Sequence, residues 1–164
     1  MRIAHLVATF GGVGNLPSAP GTYGSLAALP AAWLLYVIGG PILILIAIVA
    51  AFAAGMWATQ AEREATGAED PQHVVIDEVV GQWIALLPVV IGAAHAGVPV
   101  LALWPGWIVA FAAFRLFDIR KPGPVGWADR RGDTMGVMLD DVFAGIIAAV
   151  VVVVLGGAYH ALFI

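Results

Sequence analysis

The sequence predicts an all-α, polytopic membrane helix bundle of about five membrane segments, in one domain covering residues 1–164. Three observations predict it. The 164 residues are 62% hydrophobic and only 11% charged, against about 45–50% apolar and about 25% charged in a soluble domain. The mean hydropathy is +0.97, so too little polar surface exists to solvate a globule of this size. The charged residues are also segregated: apart from Arg2, every one lies between Glu62 and Glu78 or between Arg115 and Asp141. Three charge-free stretches remain, Ile3–Ala61, Val79–Phe114 and Val142–Ile164, and a helix crossing the hydrocarbon needs about 20 apolar residues.

Residues 1–24 are rich in Gly and Pro and read as a loop. Gly11, Gly12, Gly14 and Pro17 also interrupt any signal-peptide core, so the mature chain is expected to begin near Met1. The first segment, 26–38, is short, with Pro30 inside it, and is expected to kink, tilt or re-enter. Gly39-Gly40-Pro41 turns the chain into the second segment, 42–60. A polar stretch over 62–78 leads to the third, 79–93, and Gly92, Gly97 and Pro99 mark the turn into the fourth, 98–117. Pro122 disfavours helix at Lys121 and ends that segment. The fifth, 141–161, contains the apolar run Val150–Val154. Counting crossings puts the N-terminus, 62–78 and 115–141 on one face. Arg115, Arg120, Lys121, Arg130 and Arg131 make that face cytoplasmic by the positive-inside rule.

Composition and missing parts exclude several functions. The chain has no cysteine, which removes disulfides, thiolate zinc sites and cysteinyl nucleophiles together. A net charge of −4 without a basic tail argues against a nucleic-acid partner. No Asp-x-Asp pair follows Asp118, because position 120 is Arg. His95 and His160 fall on the uncharged side, His5 in the glycine-rich leader, and His73 reads as a lone, solvated loop histidine.

Three groups of residues converge on the charged face. In Pro17–Ser25, glycines allow close backbone approach to an anion, Thr22 and Ser25 supply hydroxyls, and a helix start supplies a positive dipole end; the same stretch also suits a plain turn with Ser25 as N-cap. Asp77-Glu78 and Asp140-Asp141 open the third and fifth segments, where they either cap helices or meet a ligand. Gln82 lies one turn beyond Glu78. Arg115, Asp118 and Lys121 are spaced three apart at the end of the fourth segment, which suits interfacial ion pairs or phosphate contacts. Asp77, Glu78, Asp118, Asp140 and Asp141 crowded at one face would repel unless cations lay among them. Hard oxygen ligands in that number suit magnesium shared with a phosphate, with Arg115 and Lys121 on the phosphoryl oxygens. The chemistry indicated is metal-assisted phosphoryl transfer at the bilayer surface, with a water or a carboxylate as nucleophile.

The blocks Pro20–Leu26, Ile76–Trp83, Phe114–Pro122 and Met138–Gly145 resemble the signature blocks of the phosphatidylglycerophosphatase A family, in the family's order and spacing. The resemblance implies a magnesium-dependent enzyme of the bacterial inner membrane that acts on a phospholipid in the bilayer. It would convert phosphatidylglycerophosphate to phosphatidylglycerol and inorganic phosphate. Catalytic and metal-binding roles would fall to Asp77, Glu78, Asp118, Asp140 and Asp141, and phosphate binding to Arg115, Lys121, Thr22 and Ser25. The chain departs from the pattern at Gly132-Asp133-Thr134, where a glycine pair is frequent. Two other readings of the residues are phosphohydrolysis of a different lipid phosphate and a small transporter, since intramembrane carboxylates also mark ion paths.

Overall fold

A computed structural model describes residues 2–163, and among these there is no strand. The helices are α1 (Arg2–Ala8), α2 (Pro20–Thr66), α3 (Ile76–Ala96), α4 (Trp104–Arg120), α5 (Pro124–Asp129) and α6 (Thr134–Phe163), with 3-10 turns at Val13–Asn15 and Val100–Leu103. Four helical stretches are long and apolar enough to cross a membrane: Pro20–Thr66, Ile76–Ala96, Val100–Arg120 and Thr134–Leu162.

The longest of them is two arms. Gly39 (φ −148°, ψ 16°) and Gly40 (φ 64°, ψ −160°) leave helical geometry inside α2, and the positive φ at Gly40 is one that glycine adopts without a steric penalty. A Cβ on Gly24 would touch Val75, and one on Gly55 would touch Ile76. A straight helix at 1.5 Å per residue would hold residues 24 and 55 about 46 Å apart. The chain therefore folds back at Gly39-Gly40, and arms 20–38 and 41–66 return to the same end, as the five-segment reading requires.

Segment limits differ from the sequence reading in a consistent way. The first arm begins at residue 20 rather than 26, so it is not short. Residues 2–8 are helical rather than loop, and α6 starts at Thr134, so Asp140 and Asp141 lie in its second turn instead of opening it. Ser25 likewise sits inside α2 and is not its N-cap; Pro20 occupies the first helical position, where its fixed φ and missing N–H cost nothing.

Helix α3 is central. Val79, Val80, Ala85, Leu86, Val90 and Ala93 are fully buried, with α2, α4 and α6 packed around them. By contrast Leu34, Val37, Ile38, Ile42, Ile46 and Val49 around the α2 turn are exposed, as side chains solvated by lipid would be. Small residues set the α3–α6 crossing. A Cβ on Gly145 would collide with the Gly81 carbonyl, and one on Gly81 would collide with the Phe114 ring and lie 2.6 Å from the Asp141 carbonyl oxygen. Membrane helices use such residues to bring backbones together. The Trp83 indole N–H donates to the Ala28 carbonyl at 2.9 Å, tying α3 to the first arm of α2. Trp83→Phe is expected to cost about 1 kcal/mol, read as a lower thermal midpoint in detergent; an unchanged midpoint would show that this bond does not hold the arm.

Candidate active site

The Gly81–Gly145 crossing places the acidic residues. Asp77 and Glu78 lie one turn before Gly81, and Asp141 one turn before Gly145, so the close approach of the two glycines brings these carboxylates together. One oxygen from each of Asp77, Glu78 and Asp141 falls within 4.8 Å of the others. Asp77 and Asp141 are 6% and 3% exposed, and buried carboxylates at this spacing repel unless protons or a cation sit among them. The Glu78 amide donates to Asp77 Oδ1 at 3.0 Å, and the Asp141 amide to Asp140 Oδ1 at 2.9 Å. Glu78 Oε2 and Asp141 Oδ1 are buried without a hydrogen-bond partner, as are both amide atoms of Gln82 and Nε of Arg115.

The other two predicted ligands are engaged by cations. Asp118 Oδ2 accepts from Arg115 Nη1 at 2.5 Å, and Asp140 Oδ2 accepts from Lys121 Nζ at 2.7 Å. Lys121 also donates to Asp129. Partial burial would lower the Lys121 pKa, but the bonds to Asp129 and Asp140 outweigh it and hold the ammonium above its ordinary value. Its backbone is unusual as well: Lys121 caps α4 in the left-handed region, φ 48° and ψ 52°, a conformation costly for a residue with a Cβ. Gly126 lets α5 pack onto it, since a Cβ there would stand 2.5 Å from the Lys121 carbonyl oxygen.

These groups line one pocket of about 460 Å³, together with Gly21, Thr22, Glu69, Asp70, Gln72 and the apolar side chains of Val74, Ile119 and Val137. Gly21 brings the start of α2 against the acids, because a Cβ there would collide with Glu78 Oε1 and lie 3.3 Å from Arg115 Nη1. Thr22 reaches the pocket lining but Ser25 does not. The Ser25 hydroxyl donates to the Gly21 carbonyl at 2.9 Å and accepts from Arg115 at 3.5 Å, so it supports the wall from behind.

Glu69, Asp70 and Gln72 escaped the sequence reading because loop residues follow no period. Arg63 holds that rim by donating to the Glu69 carbonyl and, at 2.7 Å, to the Gly132 carbonyl. Asp133 stands at the start of α6, where its Oδ1 accepts from the Gly136 amide at 2.7 Å; this is an N-cap contact. Bonds from Arg131 and then Gly136 hold its carboxyl below the usual range. His73 is not a lone loop histidine: its Nε2 lies 2.5 Å from Glu62 Oε2, away from the pocket.

Oxygen donors in this density, two of them buried and unpartnered, fit a hard divalent cation such as magnesium. Fold and pocket together define the class: an all-helical membrane protein whose acidic, cation-flanked pocket can hold a divalent ion beside a phosphate. A family model described as Phosphatidylglycerophosphatase A matches residues 6–156, and the chain belongs to the phosphatidylglycerophosphatase A family.

Relatives span nearly the whole chain. The Haemophilus influenzae protein named phosphatidylglycerophosphatase A is 37% identical over 149 residues, 90% of this chain and 85% of its own length. That of Escherichia coli K12 is 32% identical over 154 residues, 93% and 83% of the two chains. A Bacteroides thetaiotaomicron protein named "Putative phosphatidylinositol-3-phosphatase" is 38% identical over 155 residues, 91% of each chain. No solved structure gives a significant match.

Proposed function

We propose that this protein is a magnesium-dependent lipid phosphatase that hydrolyses phosphatidylglycerophosphate to phosphatidylglycerol and inorganic phosphate, at the cytoplasmic face of a bacterial inner membrane. The observation that carries the reading is the carboxylate trio Asp77, Glu78 and Asp141, the two aspartates buried, beside Arg115, in a chain of this family. The positive-inside distribution of Arg115, Arg120, Lys121, Arg130 and Arg131 supports the orientation.

Asp77, Glu78 and Asp141 would hold the ion, which when bound neutralises phosphoryl charge and lowers the pKa of a coordinated water. The chain's own residues do the rest. Arg115, aimed by Asp118, and Lys121, held by Asp129 and Asp140, orient the phosphomonoester and stabilise the charge that develops on it. Thr22 adds a hydroxyl at the start of α2. Val74, Ile119 and Val137 give the pocket an apolar side, where the glycerol and acyl ends of the lipid can stay toward the bilayer.

The Bacteroides relative supports a second substrate reading, phosphatidylinositol 3-phosphate. Both lipids present a phosphomonoester on an anionic headgroup, so the same carboxylates and cations would serve either. Purified protein in mixed micelles is expected to release phosphate faster from phosphatidylglycerophosphate than from phosphatidylinositol 3-phosphate, to lose release on chelation and to regain it with magnesium. Release from the inositol lipid alone would overturn the substrate, and turnover indifferent to chelator would overturn the metal.

A further inference from the structure

A second cluster of metal-ligating side chains lies outside this pocket. His5 on α1, Glu62 near the end of α2 and His73 in the connection to α3 each offer one ligand atom, all within 4.8 Å of one another. His5 Nδ1 is 3.3 Å and His73 Nε2 is 2.5 Å from the same Glu62 oxygen, and the two imidazole rings are tilted, 5.4 Å apart. Residues 57 and 11 positions away from Glu62 in sequence thus meet on one carboxylate.

We propose that His5, Glu62 and His73 form a binding site for a divalent transition ion of the zinc type, chemically distinct from the all-carboxylate pocket. Two neutral imidazoles and one carboxylate are a borderline donor set that favours zinc over magnesium. Tetrahedral bonds of about 2.0–2.1 Å place ligand atoms about 3.3 Å apart, the spacing already present between His5 and Glu62. Loading replaces the short His73–Glu62 hydrogen bond by two bonds to the ion and leaves the proton on the other ring nitrogen of His73, since ligating imidazoles must be neutral on the bound atom. The Asn15 side-chain amide lies beside His5 Nε2, with Nδ2 at 3.1 Å; once an ion holds Nδ1, Nε2 carries the ring proton, and rotation of that amide presents its Oδ1 as the acceptor, the role outer partners of metal-bound histidine play. The side chains of His5 and His73 are 40% and 27% exposed while Glu62 is buried, which leaves a solvent side for entry and for a fourth, water ligand.

The consequence is mechanical. The Val75 amide already donates to the Ala8 carbonyl at 2.8 Å. An ion at His5, Glu62 and His73 would fasten α1 and α2 to the same connection that carries Glu69, Asp70 and Gln72 along the pocket rim.

Cobalt(II) is the probe. The full-length protein in detergent, with magnesium present to fill the carboxylate pocket, is expected to bind one equivalent with the intense visible absorption of tetrahedral cobalt, and zinc should bleach it. His5→Gln/His73→Gln is expected to lose the band, whereas Asp77→Asn should retain it. A wild-type protein without the intense band, or a band that survives the double substitution, would overturn the site. X-ray absorption of the zinc-loaded wild type needs no variant: imidazole scattering from two histidines supports the site, and an oxygen-only shell refutes it.

Discussion

Asp141→Asn is expected to lower phosphate release by about 10³-fold, the scale at which losing a preorganised charge-stabilising group affects an acyl- or phosphoryl-transfer centre. The substitution preserves shape, and the Asp141 backbone amide keeps its bond to Asp140. What it removes is one of three carboxyl groups whose oxygens lie within 4.8 Å of one another. The sign of its effect on stability differs from that on activity. Without divalent ions, replacing one of the crowded carboxyls by a neutral amide removes a group that must otherwise repel its neighbours or hold a proton, so the variant should unfold at or above the wild-type midpoint. With magnesium, the wild type should gain stability through binding and the variant should gain much less. Turnover within a few-fold of wild type would remove Asp141 from the reaction centre.

Gly145→Val is expected to lower activity by about 10²-fold without touching a charged group, because displacement of a reacting centre by about 1 Å costs that much. The valine side chain would meet the Gly81 backbone and drive α6 from α3. That motion separates Asp141 from Asp77 and Glu78. Gly156 on the same helix has nothing within 4 Å of a Cβ, so Gly156→Val is the control and should keep wild-type turnover. Equal activity of the two variants would mean that the close crossing does not set the carboxylate spacing.

The spans were legible because charge and apolarity are sorted along this chain: the five segments and the reversal at Gly39-Gly40-Pro41 follow from Ile3–Ala61 and its neighbours. Their ends were harder. Gly21, Gly24 and Gly136 lower helix propensity and made residues 20–25 and 134–140 read as loop, yet in the folded chain these glycines are where helices approach Glu78, Val75 and Ala128. Packing overrode propensity there. Convergence of Asp77, Glu78 and Asp141 was legible from their shared face and from the family blocks. The i,i+3 pairing of Arg115 with Asp118 was legible from their spacing; that of Asp140 with Lys121 was not, since it joins different helices through a left-handed Lys121. The His5–Glu62–His73 cluster was invisible, because nothing in the sequence ties a leader read as loop to a histidine 68 positions later.

The segregation of charge also bears on how the chain enters a membrane. The turns at 39–40 and 97–99 and the distal part of α6 carry no Asp, Glu, Lys or Arg. Each such residue placed at the centre of a helix would oppose insertion by about 2.5–3.5 kcal/mol. The α2 hairpin and the α3–α4 pair can therefore enter lipid behind neutral turns, with the charged side chains of the pocket gathered at the opposite ends of these helices.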